Sequence, residues 1–376
     1  MILRASGTSS LQFTRNQIEI LMPASKIQSN SGNASNSSTA SVLMLKPPYL
    51  IYVGDETRAT YAKTGAGIAY WRKDMCLGQF RNDTSAVDLG LPDLTIEEAV
   101  AQGAGSLVVG TAQIGGGISE ALLQVATEAA SNGMDIVAGL HSPLSSIEPL
   151  AKAAAEGGAR IIDVRIPPKD LPIGTGQKRS GKRVLTVGTD CALGKKYTAL
   201  QMQKDMQARG LKATFRASGQ TGIMIAGSGI PIDAVVSDFL VGAAELLSPQ
   251  NDADHWDVIE GQGAIFHPAY APVSHGLLLG SQPDAIVVCH EANRTHVSGW
   301  SDFELPSIEN VIARNLELAR RVNPKAICVG ISINTSKLPA EQREDYLKSL
   351  SDQYDLPCVD PIIDGTDPLI DRLQMM

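Results

Sequence analysis

Short apolar runs and longer amphipathic stretches take turns along most of this chain. Residues 49–53, 106–110, 135–138 and 160–165 are compact runs rich in Val, Ile and Leu, as buried strands are. Between them, 119–132 and 145–156 show apolar positions at helical spacing. The alternation resumes at 184–187, 213–217, 234–236, 257–260, 285–289 and 326–331 and ends with 358–364. Helices are expected over 197–209, 239–247 and 308–321, and a short one after Asp367. Strands separated by helices of this length form βαβ units, and these assemble parallel sheets covered on both faces. The loops after successive strands then share one rim, where ligands of open α/β sheets bind. A Pro/Gly/Lys-rich connector at 167–182 separates two such units, 46–170 and 171–376.

Residues 1–45 fall outside this pattern. The stretch 29–41 consists of Ser, Asn, Gly, Ala and Thr and cannot bury enough apolar surface to order itself. Arg4 and Arg15 precede it with no acid before Glu19, which fits either a targeting-like segment or an extension ahead of a start nearer Met44. The remaining composition, 43% hydrophobic and 19% charged over 376 residues, is that of a soluble two-domain protein. A net charge of −8 without basic blocks argues against nucleic acid or a membrane surface as partner. No apolar run approaches the ~18 residues of a spanning helix. Cysteines 76, 191, 289, 328 and 358 form no CxxC pair, so neither a disulfide framework nor a zinc site is expected, and a reducing, cytoplasmic setting is. Two-domain α/β proteins of this kind often pair, so a homo-oligomer is expected.

The chemistry concentrates at 183–200. An apolar strand enters a loop bracketed by Gly188 and Gly194, and the loop runs through Lys195 into a helix. Strand, glycine turn, lysine and helix start together make a phosphate cradle, since helix N–H groups, the helix dipole and an ammonium all favour an anion. An ordinary tight strand-to-helix turn is the alternative. Five residues lie between the glycines where the usual pattern has four, and Lys196 replaces the Ser/Thr that would hold magnesium. Further polar groups follow strand ends: Ser218 to Thr221, Asp238, Glu260, His267 and His290-Glu291. Asp190, inside the loop, either binds a metal, an amine or a proton, or shapes the loop by accepting backbone N–H bonds. Glu260, ending a strand and followed by Gly-Gln-Gly, can reach a substrate or cation. His267 can act as acid or base, or be a structural histidine before a proline turn. Cys191 could carry an acyl group, or contribute only its backbone. In the first domain, Gly115-Gly-Gly117 is either a nucleotide turn or a close-packed corner, and His141 is either catalytic or a rim cap.

Three stretches together resemble the D-glutamate N-acetyltransferases, a group of formerly uncharacterised P-loop proteins: Gly188-Thr-Asp-Cys-Ala-Leu-Gly-Lys-Lys-Tyr-Thr198, Gly229-Ile-Pro-Ile-Asp-Ala-Val-Val-Ser-Asp-Phe239 and Glu260-Gly-Gln-Gly-Ala-Ile-Phe-His267-Pro-Ala-Tyr270. The likeness runs from about Pro47 to the C-terminus. It implies a Rossmann-like parallel-sheet domain followed by a P-loop NTPase-like one, and transfer of acetyl from acetyl-CoA to the amine of D-glutamate in D-amino-acid catabolism, without a metal. The loop residues Gly188, Thr189, Asp190, Cys191, Ala192, Leu193, Gly194, Lys195, Lys196, Tyr197 and Thr198 would then hold coenzyme phosphates. Glu260, His267 and Asp190 are the candidates for the base, Glu260 and His267 first. Arg216, Ser218, Gln220, Asp238, Gln262 and Arg294 are the candidates for substrate contacts. The loop and the Glu-Gly-x-Gly stretch also look like those of dethiobiotin synthetase, which would make the chain an ATP-dependent ligase or nucleotide-binding protein. There Lys-Thr follows the loop; Lys195-Lys196 here counts against that chemistry.

Overall fold

The computed structural model describes residues 43–59, 61–111, 118–140 and 142–376. The segment 1–42, the glycines 115–117 and His141 lie outside the described residues. The first lobe holds five strands: β1 (Tyr49–Gly54), β2 (Cys76–Arg81), β3 (Ser106–Val109), β4 (Asp135–Ala138) and β5 (Ile161–Asp163). They lie in the order β2-β1-β3-β4-β5, every pair parallel. Helices α1 (Lys63–Trp71), α2 (Ile96–Ala101), α3 (Glu120–Ser131) and α4 (Glu148–Gly157) accompany them. Every residue of β1, β3 and β4 is buried, which explains why these strands read as continuous apolar runs rather than as alternation.

The second lobe contains β6 (Lys182–Gly188), β7 (Ala213–Arg216), β8 (Trp256–Ile259), β9 (Ala285–Glu291), β10 (Ile327–Asn334) and β11 (Cys358–Val359). Their order is β11-β10-β9-β6-β8-β7, again all parallel. Helices α5 (Lys195–Ala208), α6 (Gln220–Ala226), α7 (Ser237–Leu247), α8 (Ala271–Ser281), α9 (Ile308–Val322), α10 (Arg343–Tyr354) and α11 (Asp367–Gln374) flank the sheet. β6 lies in the interior of the sheet, so the loop after it opens between the ends of neighbouring strands.

Two local expectations change. Residues 234–236 are not a strand: a single 3-10 turn, Ile232–Ala234, leads into α7. Pro231 removes a ladder donor there, and Ile232 and Val235 bury their side chains without pairing. The run 358–364 is strand only at Cys358–Val359, and a helix that the apolar pattern does not show, α6, begins at Gln220.

The lobes are closely joined. Leu43–Met44 pairs antiparallel with Ser228–Gly229, and Leu45 N–H donates to the Gly227 carbonyl at 2.8 Å. Helix α1 packs on α6, and buried Tyr49 and Ile68 share one apolar cluster with Ile223, Met224 and Ile225. With its amide oriented to satisfy both neighbours, Gln220 donates to the Gly139 carbonyl (2.6 Å) and accepts from Arg165 (2.8 Å) of the first lobe.

Candidate functional site

The loop after β6 bends through Ala192 (φ 53) and Gly194 (φ 114) before α5 starts at Lys195. A φ of 114° suits only a residue without Cβ. No side chain caps α5, so its first N–H groups have no side-chain acceptor and remain ready for an anion. Beside them lies a cleft of about 490 Å³ lined by residues 191–197, by Gly219, Gln220 and Thr221 of the α6 start, by Asp233 and residues 260–263, and by Lys63 of the first lobe. Three lysines, at 63, 195 and 196, therefore meet two carboxylates, Asp233 and Glu260, around one cavity.

Lys195 is buried and donates through Nζ to the Asp190 carbonyl at 2.8 Å. Burial pulls its pKa below the usual lysine range. Burial lowers the Lys196 pKa as well, and the Glu260 carboxylate opposes that.

Glu260 follows β8 and is 4% exposed. Its Oε2 accepts from the N–H groups of Ser218 and Gly219, both at 3.0 Å, and so caps the start of α6. Ser218 Oγ donates to the Glu260 carbonyl and accepts from Gln262 Nε2 at 3.1 Å, which fixes this corner. Oε1 accepts no hydrogen bond among the described residues, and the carboxyl lines the cleft. Burial pushes its pKa up to about 7, while Lys196 and the two backbone donors pull it down and Asp233 adds to the rise. A carboxyl so placed exchanges its proton near neutrality. Gly222 makes room for it: a Cβ there would stand 2.1 Å from Oε2.

Asp190 is fully buried and its oxygens are engaged. Oδ1 accepts from Cys191 N–H (2.6 Å), and Oδ2 accepts from Arg294 Nη1 (3.0 Å) and Ser298 N–H (2.8 Å). It shapes the loop. Arg294 is equally committed, donating to Asp190, to the Cys191 carbonyl and to Glu291.

His267 lies against this carboxylate, with Nε2 3.7 Å from Asp190 Oδ1 and its ring between Tyr270 and Trp300. Its Nδ1 accepts the N–H groups of Ala269 and Tyr270 at 3.0 and 3.1 Å. Nδ1 is therefore unprotonated and Nε2 carries the ring proton. Burial also lowers the ring's pKa, against the pull of Asp190, which keeps it neutral. In this tautomer Nε2 is a donor, and it has no partner among the described residues. Single ligand atoms of Asp190, Cys191 and His267 lie within 4.8 Å of one another, a metal-like grouping. A protonated Nε2 offers no lone pair, so the imidazole can neither ligate a cation there nor take a substrate proton. Burial raises the Cys191 thiol pKa, with Lys195 opposing.

The candidate coenzyme residues divide. Cys191 to Tyr197 face the cleft, whereas Gly188, Thr189, Asp190 and Thr198 lie beneath it: Thr189 Oγ1 pairs with His290 Nδ1 (2.9 Å) and Thr198 Oγ1 with Ser332 (2.8 Å). Of the candidate substrate residues, Gln262 lines the cleft, and Gln220 does so with its amide spent between the lobes. Ser218 is buried against Glu260. Arg216 and Asp238 are not brought there. Arg216 pairs with buried Asp257 at 2.8 Å, and Asp238 is exposed in the first turn of α7. Lys63 joins the site unannounced by any motif, while Thr221 and Asp233 come from stretches already singled out, 218–221 and 229–239, without having been named as site residues.

Comparison with known proteins agrees with this architecture. A family model described as a domain of unknown function, the DUF1611 P-loop domain, matches residues 172–370. Its Rossmann-like N-terminal companion matches 79–167. A protein of Tritonibacter scottomollicae named D-glutamate N-acetyltransferase is 47% identical over 330 residues, 88% of this chain and 99% of the relative. One of the same name from a Pseudoalteromonas species is 44% identical over 331 residues, 88% of this chain and all of the relative. The crystal structure of a DUF1611 family protein from Anabaena variabilis superposes with a TM-score of 0.77 at 30% identity, covering 88% of this chain and 100% of that one.

Proposed function

The chain belongs to the DUF1611 family, that of the D-glutamate N-acetyltransferases, and on this premise we propose that it moves an acetyl group from acetyl-CoA to the amine of D-glutamate. The observation that carries the mechanism is Glu260: a buried carboxyl with a pKa of about 7 and an oxygen accepting no hydrogen bond, set in a cleft beside three lysines.

An ammonium cannot attack a thioester, so a base must first remove a proton. Glu260 Oε1 takes it. The freed amine adds to the thioester carbonyl, the intermediate expels the coenzyme thiolate, and the proton still on nitrogen passes to that sulfur. The amide forms as the C–S bond breaks. The carbonyl oxygen that turns negative needs donors, and the loop N–H groups and the Gln262 amide line the same cavity. The coenzyme's phosphates fit the uncapped start of α5 with Lys195 and Lys196; they are held there, not transferred, so the missing magnesium ligand at 196 costs nothing. Lys63 faces the same cavity and supplies a further cation for the phosphates or for the substrate's carboxylates.

The test is thiol release from acetyl-CoA against a panel of D- and L-amino acids. Release with D-glutamate and none with L-glutamate is the expected result. No release with any acidic amino acid, together with phosphate release from ATP and magnesium, would favour the ligase reading instead.

A further inference from the structure

Beside the phosphate cleft is a second cavity of about 340 Å³, and the two share Lys63 and Tyr197. Its walls are Ala66, Gly67, Tyr70 and Trp71 of α1, Tyr197 of α5 and Ile362. Lys63 is the one charged residue among the described lining residues. Lys63, Ala66, Gly67 and Tyr70 recur at helical spacing and so present one face of α1. The two small residues leave that face flat between a cation at one end and aromatics at the other, about 10 Å along the helix.

The rings are ordered relative to one another. Trp71 lies nearly parallel to Tyr197, with centroids 6.2 Å apart and planes at 21°, while Tyr70 stands at 83° to Trp71. The Lys196 ammonium sits 4.8 Å over the Tyr197 ring. Tyr70 is 67% exposed and Ile362 49%, a cost in apolar surface that scattered residues often carry but that marks a binding surface when it is contiguous and concave.

We propose that this aromatic slot takes the adenine ring of the coenzyme whose phosphates lie on the loop. The inference rests on the coenzyme reading above. A purine is flat, apolar on its faces and tethered to phosphates, and the slot is flat, apolar and opens onto a phosphate site through Lys63. The cavity is also near the lower end of the ~300–1,000 Å³ typical of ligand pockets, which suits a base rather than a whole coenzyme. The slot is built across both lobes, so the first lobe contributes recognition of the nucleotide through α1 rather than through its own sheet edge.

The experiment compares two acetyl donors on the full chain: acetyl-CoA, and S-acetyl-N-acetylcysteamine, which has the thioester without the nucleotide. Trp71→Ala should lower the ratio of kcat/KM for acetyl-CoA to kcat/KM for the truncated donor by about 5- to 150-fold, the worth of stacking one base on an aromatic side chain. Most of the loss should appear in KM for acetyl-CoA, and Trp71→Phe, which keeps a ring, should recover most of it. An unchanged ratio would overturn the slot while leaving acetyl transfer intact. Calorimetry with adenosine 3′,5′-bisphosphate separates the two readings. Binding by the native chain that weakens in Trp71→Ala supports the slot even if no acetyl transfer is found; equal binding by both rejects it.

Discussion

Replacing Glu260 by glutamine should inactivate the protein and yet stabilise it in alkaline solution. The carboxyl has an ordinary pKa of 4.5 and one of about 7 when folded. Between those values the folded chain keeps a proton that the unfolded chain has released, so stability falls as pH rises through this window and stays low above it. Each unit is worth about 1.4 kcal/mol, so from pH 5 to pH 8 the native chain should lose about 3 kcal/mol on account of this one group. Glutamine keeps the shape, stays neutral and still offers an oxygen to the N–H groups of Ser218 and Gly219. Relative to the native chain, Glu260→Gln should therefore gain about 3 kcal/mol between pH 5 and pH 8, less whatever Lys196 loses with its partner. Urea unfolding of both chains at the two pH values measures this, and acetyl transfer should fall by about 10²- to 10⁴-fold with the base removed. A stability difference that is the same at both pH values would refute the argument, because it would mean that the folded carboxyl titrates as an ordinary one.

Lys196→Met removes the strongest downward pull on Glu260; the midpoint of the rate–pH profile should move above 7 and activity lost at neutral pH should return near pH 9, and an unmoved midpoint would count against Glu260 as the base. His267→Gln should lower the rate through lost ring packing but leave that midpoint in place, since two backbone N–H groups occupy the ring's one lone pair at Nδ1; a displaced midpoint would make His267 a participant in proton transfer. Gly194→Ala forces a side chain into φ 114, at a strain of about 1–3 kcal/mol; calorimetry should show coenzyme A bound about 5- to 150-fold more weakly, and unchanged affinity would mean that the loop does not hold the coenzyme.

Local chemistry was legible in the sequence, and chemistry assembled across the chain was not. The loop at 188–198 could be read because strand, glycine and helix start are contiguous, and Glu260 because a carboxylate closing a buried strand must face the sheet rim. Lys63 could not be read: it opens a glycine-containing helix with weak intrinsic helicity, Lys63–Trp71, that forms by packing on α6 and brings its cation in from the other lobe. Helix α6 was hidden for a related reason, since its cap, Glu260, lies far along the chain. Arg216 ends a strand, the position of a substrate ligand, but buried Asp257 on the adjacent strand claims its guanidinium. His267 shows a different limit. Residue type leaves acid, base and donor open, and two backbone N–H groups at Nδ1 decide among them.

The pairing of Leu43–Met44 with Ser228–Gly229 bears on how this molecule can be divided. Cutting at the connector would separate two sheets in sequence but not in space. A fragment starting at 171 would lose the strand that covers Ser228–Gly229 and strip Tyr49 and Ile68 from the cluster that buries Ile223 to Ile225. Its helix α6, whose start is capped by the Glu260 carboxylate, would rest on solvent instead of on α1. The two sheets are thus better regarded as the halves of a single vice than as interchangeable modules, and grafting either onto another partner would carry over a folded shape without the grip.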